Sequence, residues 1–333
     1  MQLTLPGPRT TPKVRRRPTP ARKPVGVRPS GLVPRCLQQR HFDVRVLLLP
    51  LVVLFATAGF SPASRAFEYV QFEASNPAQS GQVLLTAQLF LPQGAGPFPA
   101  VVLMHGCGGW QPAVLHALQE HAEFLVRHGF AVLNLDSFGP RKKTGGQVCE
   151  SWQLLQDARF YRTYDAFDAL RFLQARHFVD AQNVFLMGQS NGGSVAIKAA
   201  LVSDPRAYGR AGATFRAVVA YYPWCGVLVE RDQTLASPLL IFGGGLDDWT
   251  PPYQCLQAKA SGAPLRVKIY PQAVHSFDVD IVLQRFLGRW IGENPYAVRD
   301  SRELMLAFFQ EHLVGAPVYR PHERPASVFP KNR

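Results

Sequence analysis

Several things are scarce in this 333-residue chain, and each scarcity excludes something. No apolar stretch reaches the roughly 20 residues that a bilayer-spanning helix needs. The longest, VLLLPLVVLFATAGF (46–60), falls short. No internal repeat is visible. No cysteine or histidine pair has metal-ligand spacing, so no metal is expected. No basic DNA- or RNA-binding motif occurs. The net charge of +13 would suggest a polyanion partner, but it is unevenly placed. Residues 1–66 hold 12 Lys/Arg against one acidic residue, Asp43, or +11, while residues 67–333 hold 24 against 22, or +2. The part able to build a core is close to neutral, and no nucleic acid is expected as its partner.

The basic segment has its own reading. Residues 1–45 are rich in Pro, Arg and Lys and cannot form a core. The apolar run 46–60 follows, and Ser64 and Ala66 make a small-x-small site downstream. This is the layout of a secretory signal peptide cut after Ala66, and it predicts an exported, periplasmic or secreted protein with no membrane contact after cleavage. The alternatives are an uncleaved anchor and a true start nearer Val44. Cysteine usage agrees with export. Cys36 lies in the leader, and Cys107, Cys149, Cys225 and Cys255 remain, an even number. Four cysteines allow three pairings, and spacing alone does not choose among them.

From residue 67 short apolar runs alternate with helical patterns, the signature of an α/β fold. QVLLTAQLFLP (82–92) reads as an early antiparallel strand. AVVLMHG (100–106) opens on a continuous apolar run, as expected of a strand covered on both faces, FAVLNLD (130–136) reads as the next buried strand, and NVFLMG (183–188) as another strand. FRAVVAYYP (215–223), PLLIFGG (238–244) and LRVKIYP (265–271) are further strands. Helices are predicted near 115–128, over 157–176, after Ser190, over 251–260 with proline at its start, and over 301–313. No linker interrupts 67–313, so one catalytic domain is expected there, followed by a proline-rich tail over 314–333.

Gly188-Gln189-Ser190-Asn191-Gly192 fits G-x-S-x-G, between a predicted strand and a predicted helix. That context defines a nucleophile elbow, in which a tight turn lifts the serine above the sheet and its neighbours must be small. Serine needs a general base. His275 lies in YPQAVHSFD, after the last predicted strand. The third member should hold the imidazole tautomer. GGGLDDWTPP offers Asp247 and Asp248, and the spacing from Gly244 favours Asp247. An oxyanion hole needs two N–H donors. The amide of Asn191 supplies one, and HGCGG (105–109) supplies the other at Cys107, where glycines permit close backbone approach. Trp110, Phe138, Trp152, Trp224 and Trp249 follow strand ends and could wall an acyl pocket.

LMHGCGGW, DSFGPR (136–141), GQSNGG, GLDDWTPP and HSFD together resemble the dienelactone hydrolase family of α/β-hydrolases, over roughly 80–315. The resemblance implies an eight-stranded, mostly parallel sheet with helices on both faces, and a triad of Ser190, Asp247 and His275. One departure is plain. Dienelactone hydrolases proper use cysteine as nucleophile, and serine stands here. The expected activity is therefore serine-dependent cleavage of small-molecule carboxylic esters or lactones, without a cofactor. Peptide hydrolysis or acyl transfer on the same machinery, and a non-catalytic cell-envelope binding protein, are the rival readings. The family also implies an arginine for a substrate carboxylate, with Arg141 at the matching place. Among the aromatic residues after strand ends, Trp110 and Trp249 are the expected substrate contacts. Its strand order implies the bridges Cys107–Cys149 and Cys225–Cys255.

Overall fold

Strands with apolar residues on both faces need cover on both sides, and the chain supplies it with alternating strands and helices. The computed structural model describes residues 67–76, 81–144, 146–201, 214–230 and 232–315. The leader with its apolar run and Ala66, and the tail beyond 315, lie outside the described residues. Along the chain run β1 (Phe67–Glu73), β2 (Leu84–Phe90), β3 (Phe98–Met104), α1 (Pro112–Arg127), β4 (Ala131–Asp136) and α2 (Trp152–Gln174). Next come β5 (Val179–Gln189), α3 (Asn191–Ala200), β6 (Val218–Tyr221), α4 (Val227–Glu230), β7 (Gln233–Leu235) and β8 (Leu239–Gly244). The last are α5 (Tyr253–Leu256), β9 (Ala260–Gly262), β10 (Leu265–Tyr270), β11 (Gln284–Phe286), β12 (Arg289–Ile291) and α6 (Pro295–Glu311).

Eight strands form one sheet in the order β1-β2-β4-β3-β5-β6-β8-β10. β2 pairs antiparallel with β1 and with β4, and every other pairing in the sheet is parallel. This is the eight-stranded, mostly parallel sheet of an α/β-hydrolase. Side chains alternate between two cores. Ala100, Val102 and Met104 of β3 join the cluster that includes α2 and α3, whereas Val101 and Leu103 join the one that includes α1 and α6. All five are fully buried. Each such large aliphatic side chain contributes about 1.5–3 kcal/mol of hydrophobic stabilisation.

Local chemistry sets the helix ends. Pro112 opens α1, where a missing N–H costs nothing, and Gly129 (φ +85°) follows its C-cap His128. Ser151 caps α2 by accepting the N–H of Leu154, so the helix begins at Trp152, five residues before its sequence pattern becomes periodic. Asn294 caps α6 in the same way, through the N–H of Ala297. The helix expected over 251–260 is only the single turn of α5. The chain then extends as β9 to pair with β7, which uses the backbone groups that a longer helix would need. The β11–β12 hairpin was not legible in the sequence, since three-residue strands carry no period. No helix among the described residues is long and apolar enough to cross a membrane.

Parallel strands end on the same edge of a sheet. The loops after β3, β5, β8 and β10 therefore converge, although they lie far apart in the chain. This edge is where open α/β sheets place their sites.

Candidate active site

Ser190 sits between β5 and α3 at φ +50°, a conformation rare for any residue but glycine. The flanking glycines make the turn feasible. A Cβ on Gly188 would collide with the carbonyl of Gly192, and one on Gly192 with the carbonyl of Met104. Ser190 N–H is held by the carbonyl of Tyr221 at 2.9 Å.

His275 follows β10, and its Nε2 lies 2.9 Å from Ser190 Oγ. Its Nδ1 lies 2.7 Å from Oδ2 of Asp247, beyond β8. Asp247 Oδ1 accepts the backbone N–H of Trp249 at 2.9 Å and of Thr250 at 2.8 Å. Burial alone would raise the Asp247 carboxyl, but the electrostatic attraction of the adjoining His275 ring and the hydrogen bonds from His275 and Thr250 outweigh it and hold it below the usual carboxylate range. An ionised Asp247 requires a donor at Nδ1, which leaves Nε2 as the acceptor facing the serine hydroxyl. The imidazole lies between two rings, Tyr222 at 4.7 Å and Trp249 at 5.1 Å between centroids. Asp248 turns elsewhere. Its Oδ1 accepts the N–H of Trp290, and its carbonyl accepts from Arg289, so it fastens the β11–β12 hairpin.

The Asn191 amide opens α3, where a backbone N–H has no intrahelical acceptor. The 105–109 loop abuts it: a Cβ on Gly106 would stand 3.3 Å from the Ser190 Cβ. The sequence pattern did not reveal what holds these two segments. Arg162 of α2 is fully buried, with Nη1 donating to Asn191 Oδ1 at 2.7 Å and Nη2 to the His105 carbonyl at 2.6 Å. No carboxylate among the described residues forms a salt bridge with it, and its guanidinium lies over the Phe138 ring at 4.8 Å. Burial pushes Arg162 down to about 10, so it remains a cation at neutral pH. His105 is driven down by burial and then by Arg162, and stays neutral.

A second buried network involves the loop that carries His275. Asp278, three residues after His275, accepts from His121 Nε2 at 2.8 Å, from Gln189 Nε2 at 2.8 Å and from the Tyr222 hydroxyl. It thus ties the histidine loop to the residue preceding Ser190. Burial opposes the Asp278 charge, but these donors prevail and hold its carboxyl below the ordinary range. Burial lowers His121, whose imidazole is neutral and donates through Nε2–H.

Cys107 is bonded to Cys149 and Cys225 to Cys255, the pairing that the resemblance implies. Trp249 lines the space around Ser190. Two of the expected substrate contacts are placed differently from Trp249. The Arg141 guanidinium is bidentate to Asp165 at 2.8 and 2.9 Å and also donates to the Ser137 carbonyl, with the side chain nearly buried. Trp110 lies outside the residues lining that space, with its indole N–H buried and unpartnered among the described residues. No group of three His, Cys, Asp or Glu among the described residues is placed to hold a metal ion.

Fold and constellation together define a class, the serine hydrolases of the α/β-hydrolase fold. Within it, the chain belongs to the dienelactone hydrolase family, whose pattern matches residues 85–313. Over 124 residues it is 30% identical to the esterase FrsA of Salmonella typhi, covering 37% of this chain and 26% of that protein. The match thus spans about a quarter of that relative's length. Among solved structures, the dienelactone hydrolase-like promiscuous phosphotriesterase P91 from metagenomic libraries is 20% identical, covering 74% of this chain and 99% of its own, with a TM-score of 0.55. The protein m3DLH is 18% identical over 74% of this chain and 99% of its own, with a TM-score of 0.54. These likenesses show the fold.

Proposed function

We propose that the protein is an exported serine esterase that cleaves small-molecule carboxylic esters or lactones through an acyl-enzyme. The observation that carries this reading is the unbroken line Ser190 Oγ–His275–Asp247, with steps of 2.9 and 2.7 Å. His275 takes the hydroxyl proton as Ser190 attacks the carbonyl carbon. The developing imidazolium is stabilised by Asp247. The oxyanion is received by the amides of Asn191 and Cys107, and Arg162 anchors the segments that carry them through the Asn191 side-chain oxygen and the His105 carbonyl. That buried positive charge lies where it favours the developing negative charge. His275 then returns its proton to the leaving oxygen, and water clears the acyl group by the same steps in reverse. No step requires a cofactor. Export is supported by the leader pattern and by two disulfides, which persist in oxidising compartments.

The test is labelling by a fluorophosphonate probe, with hydrolysis of p-nitrophenyl acetate in parallel. Wild type should react with both. Ser190→Ala should lose labelling and drop in turnover by about 10³-fold or more. Unlabelled wild type, or cleavage of peptides but not esters, would refute the proposal.

A further inference from the structure

Ser190 stands between two cavities. One, of about 660 Å³, has Trp152, Trp224 and Leu155 in its wall. The other, of about 230 Å³, is lined by His275, Ser276, Val279 and Ile281. Ser190, Trp249 and the Cys107–Cys149 bridge border both, so the indole and the disulfide form the divide. His275 borders the smaller cavity only.

That asymmetry assigns the two halves of an ester. The base must hand its proton to the leaving oxygen, which therefore lies within hydrogen-bond reach of His275 Nε2. The alcohol half then extends into the cavity that His275 lines, and the acyl half takes the other. Pockets for drug-sized ligands run from about 300 to 1,000 Å³. The alcohol side falls below that range and the acyl side lies well within it. The acyl side is also built for flat rings. Trp152 meets Trp224 edge-on, with centroids 5.0 Å apart and planes at 77°, Arg159 lies over the Trp224 ring at 4.4 Å, and Trp249 also lines the cavity. Edge-to-face and offset stacking favour an aromatic guest over a flexible chain of equal size.

We infer, resting on the esterase reading above, that the preferred substrate joins a bulky aromatic acyl group to a short alcohol such as methanol or ethanol. The bond broken is the acyl carbon–oxygen bond. Ser190 Oγ replaces the alkoxide, which leaves as alcohol with the proton from His275, and water later replaces Ser190 to give the aromatic acid.

Two isomeric esters isolate the claim. Methyl 2-naphthylacetate and naphthalen-2-ylmethyl acetate contain the same atoms and both release an alkyl alcohol, but they exchange which half carries the rings. The enzyme should favour the first by about tenfold or more in kcat/KM. Trp152→Ala, at an exposed position 54% accessible to solvent, should lower kcat/KM for methyl 2-naphthylacetate several-fold, chiefly through KM. Equal rates, a preference for the reversed ester, or cleavage of p-nitrophenyl acetate with neither isomer touched would overturn the assignment of the cavities. Failure on p-nitrophenyl acetate together with absent probe labelling would instead remove the esterase reading itself.

Discussion

Two acid–imidazole pairs lie close together in this molecule and have nearly the same geometry. Asp247 meets His275 at 2.7 Å, and Asp278 meets His121 at 2.8 Å. Both aspartates are buried, and in both the surrounding donors overcome the penalty of burial. What separates the pairs is the far side of each ring. The second nitrogen of His275 faces a serine hydroxyl at the mouth of two cavities, whereas that of His121 is buried with no hydrogen-bond partner among the described residues. An aspartate beside a histidine is thus not in itself a catalytic device. The groups at the other nitrogen decide whether the pair moves protons or braces a loop.

The comparison can be broken in three places, in decreasing order of expected effect. Asp247→Asn should leave the protein folded and lower kcat by about 10³–10⁴-fold, because the amide favours the wrong imidazole tautomer. Steady-state kinetics read this directly, and a loss under tenfold would put Asp247 in the bracing class. Arg162→Met comes next. It removes the clamp and the buried charge, and should lower kcat by roughly 10²-fold while KM moves little. Arg162→Lys, which keeps the charge but loses the fork, should recover only part of that. A loss confined to KM would exclude the oxyanion role.

Asp278→Asn should give the smallest change in activity, under about tenfold, and a loss of about 1–3 kcal/mol in stability. It should also alter the pH dependence. The folded state holds the Asp278 carboxyl below its unfolded value of about 3.9, so its stabilisation is full above that value and is lost as pH falls through the lower, folded one. Urea unfolding at a series of pH values should show a shallower acid-side decline in the variant. An unchanged slope would remove the carboxylate from that role.

These variants follow the boundary of what the sequence made legible. Gly188, Ser190 and Gly192 announce themselves because the elbow is built from neighbours in sequence and its steric demand is local. Asp247 and His275 could be found because each follows a recognisable strand. Arg162 could not, since its partners lie 29 and 57 residues away and nothing in a helix turn points to them. A faint signal exists: Arg162, Asp165 and Asp168 recur every third residue, beside buried Ala158, Ala166 and Ala169, and all three charged residues are buried. Charged side chains on such a face need partners elsewhere. The partner of Arg141 was hidden for the complementary reason. The resemblance points to a place in the chain, but Asp165, which takes the guanidinium, comes from another element. Asp278 was visible only as the last letter of HSFD, without its three donors.

The backbone at Ser190 carries one last implication. A left-handed angle at a non-glycine residue costs about 1–3 kcal/mol, which the strand, helix and glycines around it must hold in place. Durability and speed therefore pull against each other at this position: whatever relaxes the turn makes a sturdier scaffold and a slower catalyst, and evolution cannot improve both there at once.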